Sequence, residues 1–141
     1  VKDGVRTMNK HILKTGDVIW AKLYGNDHIQ KGCRPVVVIQ NNTGNYHSPT
    51  IEVAPMTSRL TKSKLPTHVV VPADVAGLSK RSVVQCEGIR PISKVDICGY
   101  IGHMPDDYMA KISIASIISM PIIKYLTLEQ ISMVHRDILA S

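Results

Sequence analysis

The sequence predicts a mainly β domain with C-terminal helices: a small, strongly curved antiparallel barrel or sandwich, then a helical end. Three observations carry that expectation. Short alternating or β-branched apolar runs recur between Gly, Asn, Asp and Pro turn signals through the first two-thirds of the chain. No long helical period separates them, which argues against a parallel sheet built from strand–helix–strand units. After Pro105 the apolar period lengthens from two residues to about 3.6. At 141 residues the chain has material for one core rather than two.

Gly16–Leu23 alternates apolar with polar or small residues, as a half-buried strand does. Tyr24–Gly32 carries Gly25, Asn26, Asp27 and Gly32 and reads as a loop. Pro35–Gln40 is a continuous β-branched run and reads as a central strand, and Asn41–Ser48 as a polar turn. Pro49–Ala54 alternates again, with Ile51 and Val53 on one face. Thr67–Val71, Ser82–Cys86 and the short Ile89–Ile92 complete the strands. Pro105-Asp106-Asp107 is a helix start with acids at the positive end of the dipole. Tyr108, Ile112, Ala115 and Ile118 then recur at helical spacing until Pro121 breaks the run. Thr127 caps a second amphipathic segment, with Glu129 and Gln130 in its first turn and Ile131, Val134 and Ile138 on one face.

The hydrophobic share of 44% fits a globular chain rather than a disordered one. No apolar run reaches the length of a membrane span and no signal-peptide layout opens the chain, so no membrane association and a cytoplasmic location are expected. Residues 1–14 read as an N-terminal arm or remnant, with Met8 available as a start residue. Cys33, Cys86 and Cys98 lack metal-type spacing and read as free thiols. The six histidines are scattered, and no Walker, dinucleotide or GxSxG motif occurs, so neither metal nor cofactor is expected. The formal charge of +6 is unevenly spread. Residues 1–104 hold 14 Lys and Arg against 7 Asp and Glu, whereas 105–141 hold 3 against 4. A basic first part suits an anionic partner such as nucleic acid.

Two places could carry chemistry. Arg34 precedes Pro35, which holds it extended where a Gly-containing loop meets a buried strand. A guanidinium fixed there suits a phosphate, although an arginine in that context alone is more often half of a surface ion pair. In Ala54-Pro55-Met56-Thr57-Ser58-Arg59, hydroxyls follow a strand end, and Arg59, Lys62 and Lys64 make a local cationic patch. Plain helix capping by Thr57 or Ser58 explains the same residues if nothing else points there. No Ser, Cys or His stands in a nucleophile's context, so an enzyme built from these parts needs a nucleophile from elsewhere. RNA supplies one in its 2′-hydroxyl.

Several segments, in this order, resemble the MazF/PemK toxins: Gly16-Asp17-Val18, the stretch from Gln30 through Gly32-Cys33-Arg34-Pro35 to Asn41, Ser48-Pro49-Thr50, Ala54-Pro55-Met56-Thr57, Lys64-Leu65-Pro66-Thr67-His68-Val69, Gly77-Leu78, Ser82-Val83-Val84 and Glu87-Gly88-Ile89-Arg90. The resemblance implies a toxin-like domain over residues 15–120 with an SH3-like β-barrel of the MazF/PemK/CcdB type, and a C-terminal extension over 121–141. It further implies a homodimeric, metal-independent endoribonuclease that cleaves single-stranded mRNA at short sequences and leaves 2′,3′-cyclic phosphate and 5′-hydroxyl ends. An antitoxin with an acidic tail is the implied inhibitor. By the same resemblance Arg34 and Thr57 are the catalytic pair, with Gln30, Lys31, Tyr24, Ser58, Arg59, Lys64, His68 and Glu87 as RNA contacts. Two departures stand out. Ile29 occupies a position where relatives often carry glutamate, so the cleavage sequence does not carry over, and residues 121–141 run past the usual end, where extra packing on the barrel is the expected role. The alternatives are a toxin of the same fold that binds DNA gyrase without catalysis, and an inactive RNA-binding barrel. The presence of both Arg34 and Thr57 favours the nuclease, and an aromatic share of 4% speaks against base stacking as the main binding mode.

Overall fold

The computed structural model describes residues 12–25, 32–59 and 65–140. Among the described residues, seven strands and three α-helices follow in order: β1 (Asp17–Leu23), β2 (Gly32–Val38), α1 (Asn42–His47), β3 (Thr50–Thr57), β4 (His68–Val71), β5 (Ser82–Gln85), β6 (Arg90–Ser93), β7 (Ile97–His103), α2 (Asp106–Ser119) and α3 (Leu128–Ala140). The strands form one antiparallel sheet in the order β4-β5-β3-β2-β1-β7, with β6 added to β3.

The β-branched run predicted as a central strand is the hub. Val36, Val37 and Val38 are completely buried. Val36 and Val38 pack with Ile19, Ala21, Ile51, Val53 and Ile92. Val37 packs with Val18, Ala54 and Met56 and with Ile112 and Ala115 of α2. β2 is therefore buried on both faces, which is why its sequence shows no polar alternation. Burial of each valine stabilises the fold by roughly 1.5–3 kcal/mol.

The antiparallel sheet followed by C-terminal helices is the expected architecture, but the sheet is open and not a closed barrel. Its terminal strands β4 and β7 share no ladder. The chain between β4 and β5 occupies the seam instead. It turns tightly, with Asp74, Ala76 and Gly77 at positive φ and the Asp74 N–H donating to the Leu78 carbonyl at 2.7 Å. Its backbone lies directly on β7: a Cβ on Gly77 would fall 2.4 Å from the Ile101 carbonyl oxygen, and one on Gly102 would fall 2.3 Å from that of Ala76. Close backbone packing replaces the hydrogen bonds that would close a barrel.

Two further elements differ from expectation. Asn41–Ser48 is a short helix, not an open turn. The Asn41 side chain caps it by accepting from the Gly44 N–H at 2.9 Å. At its other end the Lys94 ammonium is bonded to the Asn45 carbonyl. Strand β7 had no counterpart in the sequence reading, because Gly99 and Gly102 and two register shifts against β1 erase its alternation. Its end is tied to β1 through Asp17, whose buried carboxylate lies 2.9 Å from His103 Nδ1 and also accepts from the Lys14 N–H.

Gly102→Ala should therefore cost about 2 kcal/mol or more, because the clash is with backbone that has no room to yield. A fall in melting temperature of several degrees by circular dichroism checks it; an unchanged melt would mean the seam is loose.

Candidate active site

One end of the sheet opens into a groove of about 420 Å³ between β1, β2 and β3 on one side and the 77–82 segment on the other. Arg34, Thr57, Ser58, Arg59, Trp20 and Lys80 all line it. The local sequence explains the placement of the first two. Val36, Val37 and Val38 on β2 pair with Pro55, Ala54 and Val53 on β3. The β2–β3 ladder ends at Val36 and Pro55; Arg34 and Thr57 lie two residues beyond it on their strands, and both line the groove. On its other side Arg34 pairs with Ala21 of β1, and Thr57 with Val83 of β5.

Arg34 is half-buried, and its Nε is shut off from solvent with no hydrogen-bond partner among the described residues. A buried donor left unmade costs about 1–3 kcal/mol. Lining the groove, that donor is available to a ligand. The surface ion pair that the bare sequence allowed is absent: among the described residues Arg34 makes no salt bridge. Thr57 is the last residue of β3, and its Oγ1 accepts from the Arg59 N–H at 3.2 Å. That bond orients the side chain and leaves the hydroxyl proton free to donate into the groove. Ser58, Arg59 and Lys80 are exposed at the rim.

The remaining candidates do not gather here. His68 and Glu87 pair with each other, Nε2 to Oε2 at 2.7 Å, and Thr67 Oγ1 adds 3.1 Å to the same carboxylate. Neither lines the groove, and the His68 side chain is only 7% exposed. Tyr24 stands at the far end of β1, donating to Asp96 at 3.2 Å with Lys22 Nζ 5.4 Å from its ring centre. Gln30, Lys31 and Lys64 lie outside the described residues. The sequence reading passed over Trp20 and Lys80 as groove residues. Trp20 had a signal: it is the chain's one tryptophan and sits on the polar face of an alternating strand, 43% exposed.

Among the described residues no three His, Cys, Asp or Glu side chains gather as a metal-binding group would. The thiols are poor nucleophiles where they are buried. Burial raises Cys86, and burial with the neighbouring Cys33 thiol pushes Cys98 up to about 11.

With this geometry in view, comparisons with known proteins place the chain. Residues 14–119 match the family described as PemK-like, MazF-like toxin of type II toxin-antitoxin system, and the chain belongs to that family. It is similar to Endoribonuclease EndoA of Bacillus subtilis (strain 168), at 43% identity over 117 residues, covering 81% of this chain and 99% of that protein. Among solved structures, Mycobacterium tuberculosis toxin MazF-mt6 superposes with a TM-score of 0.63 at 27% identity, over 74% of this chain and 96% of that one. MazF from Deinococcus radiodurans shares the fold with a TM-score of 0.69 at 20% identity, over 79% and 99%.

At pH 8 iodoacetamide should label exposed Cys33 before Cys98 and Cys86. Because Cys98 titrates near about 11, its labelling rate should climb roughly tenfold per pH unit from 8 to 10. Mass spectrometry of peptides checks both; a Cys98 rate flat with pH would contradict the burial argument.

Proposed function

We propose that this toxin is a metal-independent endoribonuclease that cuts single-stranded mRNA through the substrate's own 2′-hydroxyl. The observation that carries the reading is that Arg34, whose buried Nε has no partner among the described residues, and Thr57 line one groove. The 2′-oxygen attacks phosphorus and loses its proton, the bond to the 5′-oxygen breaks, and that oxygen gains a proton. The products are a 2′,3′-cyclic phosphate and a 5′-hydroxyl. Arg34 faces the charge that builds on the phosphorane and takes part in the proton transfer. Thr57 donates to a non-bridging oxygen and fixes the phosphate for in-line attack. Arg59 and Lys80 neutralise flanking phosphates, and the exposed indole of Trp20 offers a face on which a base stacks. The chain acts as a homodimer in this reading, and its antagonist is an antitoxin whose acidic segment competes for the cationic groove. Support for that partner comes from a mycobacterial endoribonuclease solved in complex with its cognate antitoxin, whose fold this chain shares with a TM-score of 0.65 at 23% identity.

The test is incubation of the purified chain with a long single-stranded RNA in EDTA, followed by mapping of the fragment ends. Arg34→Ala should lose at least about 2 kcal/mol of transition-state stabilisation, roughly 30-fold in rate, with its melting temperature retained. Absence of cleavage, or cleavage indifferent to Arg34→Ala, would sink the nuclease reading in favour of a binding-only toxin. Trp20→Ala should raise KM more than it lowers kcat, since stacking holds the substrate without touching the reacting atoms; steady-state kinetics on a short fluorogenic RNA checks the split.

A further inference from the structure

Two features of the chain take no part in the groove. Helix α3 does not pack on the domain as expected, since every one of its residues but Ile131 is exposed. The other feature is a pair of thiols that the sheet brings together.

Cys33 lies on β2 opposite Lys22 of β1 and shares a sheet face with it. Cys98 lies on β7, the strand that flanks β1 on its other side. There Ala21 pairs with Ile97 and Trp20 with Gly99, so Cys98 is the extra residue of a bulge. A bulge re-aims a side chain out of the regular alternation. This one leaves the Cys98 thiol within hydrogen-bonding reach of the Cys33 thiol, across β1. The Asp96 carbonyl accepts from the same Cys98 thiol at 3.5 Å. Two opposite charges face the pair, the Lys22 ammonium and the Asp96 carboxylate. Cys33 is exposed and Cys98 partly so, which opens both sulfurs to solvent.

The span decides what such a pair can hold. Two strand spacings separate β2 from β7, about 9.5 Å. A disulfide closes only where the Cα atoms lie within about 6.8 Å, with the sulfurs about 2.05 Å apart. A cation seated between the sulfurs, about 2.3 Å from each, sets them about 4.6 Å apart and extends that reach to roughly 9.3 Å. The thiols are therefore too far apart for a direct bond and well spaced for one atom between them. Among the described residues no group of three His, Cys, Asp or Glu side chains gathers, so an ion that demands four ligands, such as zinc, is poorly served. A soft cation satisfied by two thiolates is well served.

We propose that Cys33 and Cys98 form a two-coordinate site for a soft monovalent cation of the Cu(I) class. On binding, both thiols release their protons to solvent and each sulfur gives a lone pair to the metal; no electron is transferred. The thiolate–metal–thiolate unit carries one net negative charge, which the Lys22 ammonium offsets. Burial and the neighbouring thiol raise Cys98, so proton release is costly at neutral pH and affinity climbs as pH rises. The site stands apart from the nuclease reading, whose failure would leave it untouched.

Anaerobic titration of the full reduced chain with Cu(I), delivered by a chromogenic chelator that reports the metal withdrawn, tests it. The chain should take up one cation, more tightly at pH 8 than at pH 6.5, and X-ray absorption should find two sulfur neighbours. Cys33→Ser changes an exposed residue and should keep its melting temperature, yet weaken uptake at least about tenfold, as should Cys98→Ser. Uptake that Cys33→Ser leaves unchanged would overturn the proposal. So would zinc binding as tightly as Cu(I), which demands further ligands. Quick closure of a Cys33–Cys98 disulfide by oxidised glutathione would overturn it too, by placing the strands closer than two spacings.

Discussion

The site depends on a stretch of strand, the second half of β2, that has no solvent face. Val36–Val38 of β2 are packed from both sides, by the α2 cluster through Val37 and by the β6 cluster through Val36 and Val38. Rotation or slippage of β2 would expose one of these faces, so its register is fixed by the core rather than by turns. Pro35 ends that buried stretch with a residue that donates no hydrogen bond, and Arg34 follows on the same rigid rod. The guanidinium inherits the strand's order without needing an ion pair to hold it. A positioned cation whose buried Nε has no partner among the described residues suits a developing anionic charge. Helix α2 contributes at a distance, since Ile112 and Ala115 press on the same cluster that holds Val37.

Much of this was legible in the residues, and the reasons differ from element to element. The β2 run announced a central strand because three successive β-branched residues fit only a strand buried on both faces. Helices α2 and α3 announced themselves through Pro105-Asp106-Asp107 and through the Thr127 box, which are local signals that tertiary context leaves intact. Strand β7 was silent because glycine is a poor strand residue, and Gly102 is there for the approach of Ala76, a reason that lies in another part of the chain. The α1 segment was silent for a similar reason. Its anchor is Lys94, far along the sequence, and composition alone makes it a turn. Openness of the sheet had no sequence signature either, because a ladder and a backbone-packed seam draw on the same turn residues.

The site divides along the same line. Arg34 and Thr57 were named from motif and context, and both line the groove. Lys80 was not found, because a lysine beside Ser79 and Arg81 looks like ordinary surface until the loop folds it to the groove rim. His68 and Glu87 share a motif-bearing region with groove residues, yet His68 Nε2 is bonded to the Glu87 carboxylate and neither residue lines the groove. Motif membership locates a neighbourhood. Which members face the substrate is decided by strand parity and by which polar groups find partners inside the fold.

The seam between β4 and β7 is sealed by a loop, and the segment that continues from it, Gly77 through Ser82, is also one wall of the groove. In a closed barrel that wall would be a strand, with every residue committed to pairing on both sides. Here the backbone of Ala76 and Gly77 carries the seal and Leu78 is buried in the core, while the exposed side chains of Ser79 and Lys80 answer to no ladder. Mutational drift at those two positions changes what the groove feels like to a ligand without disturbing strand register. The β2 rod and the rim of the groove wall can evolve on separate clocks, one held still by the core and the other free to wander.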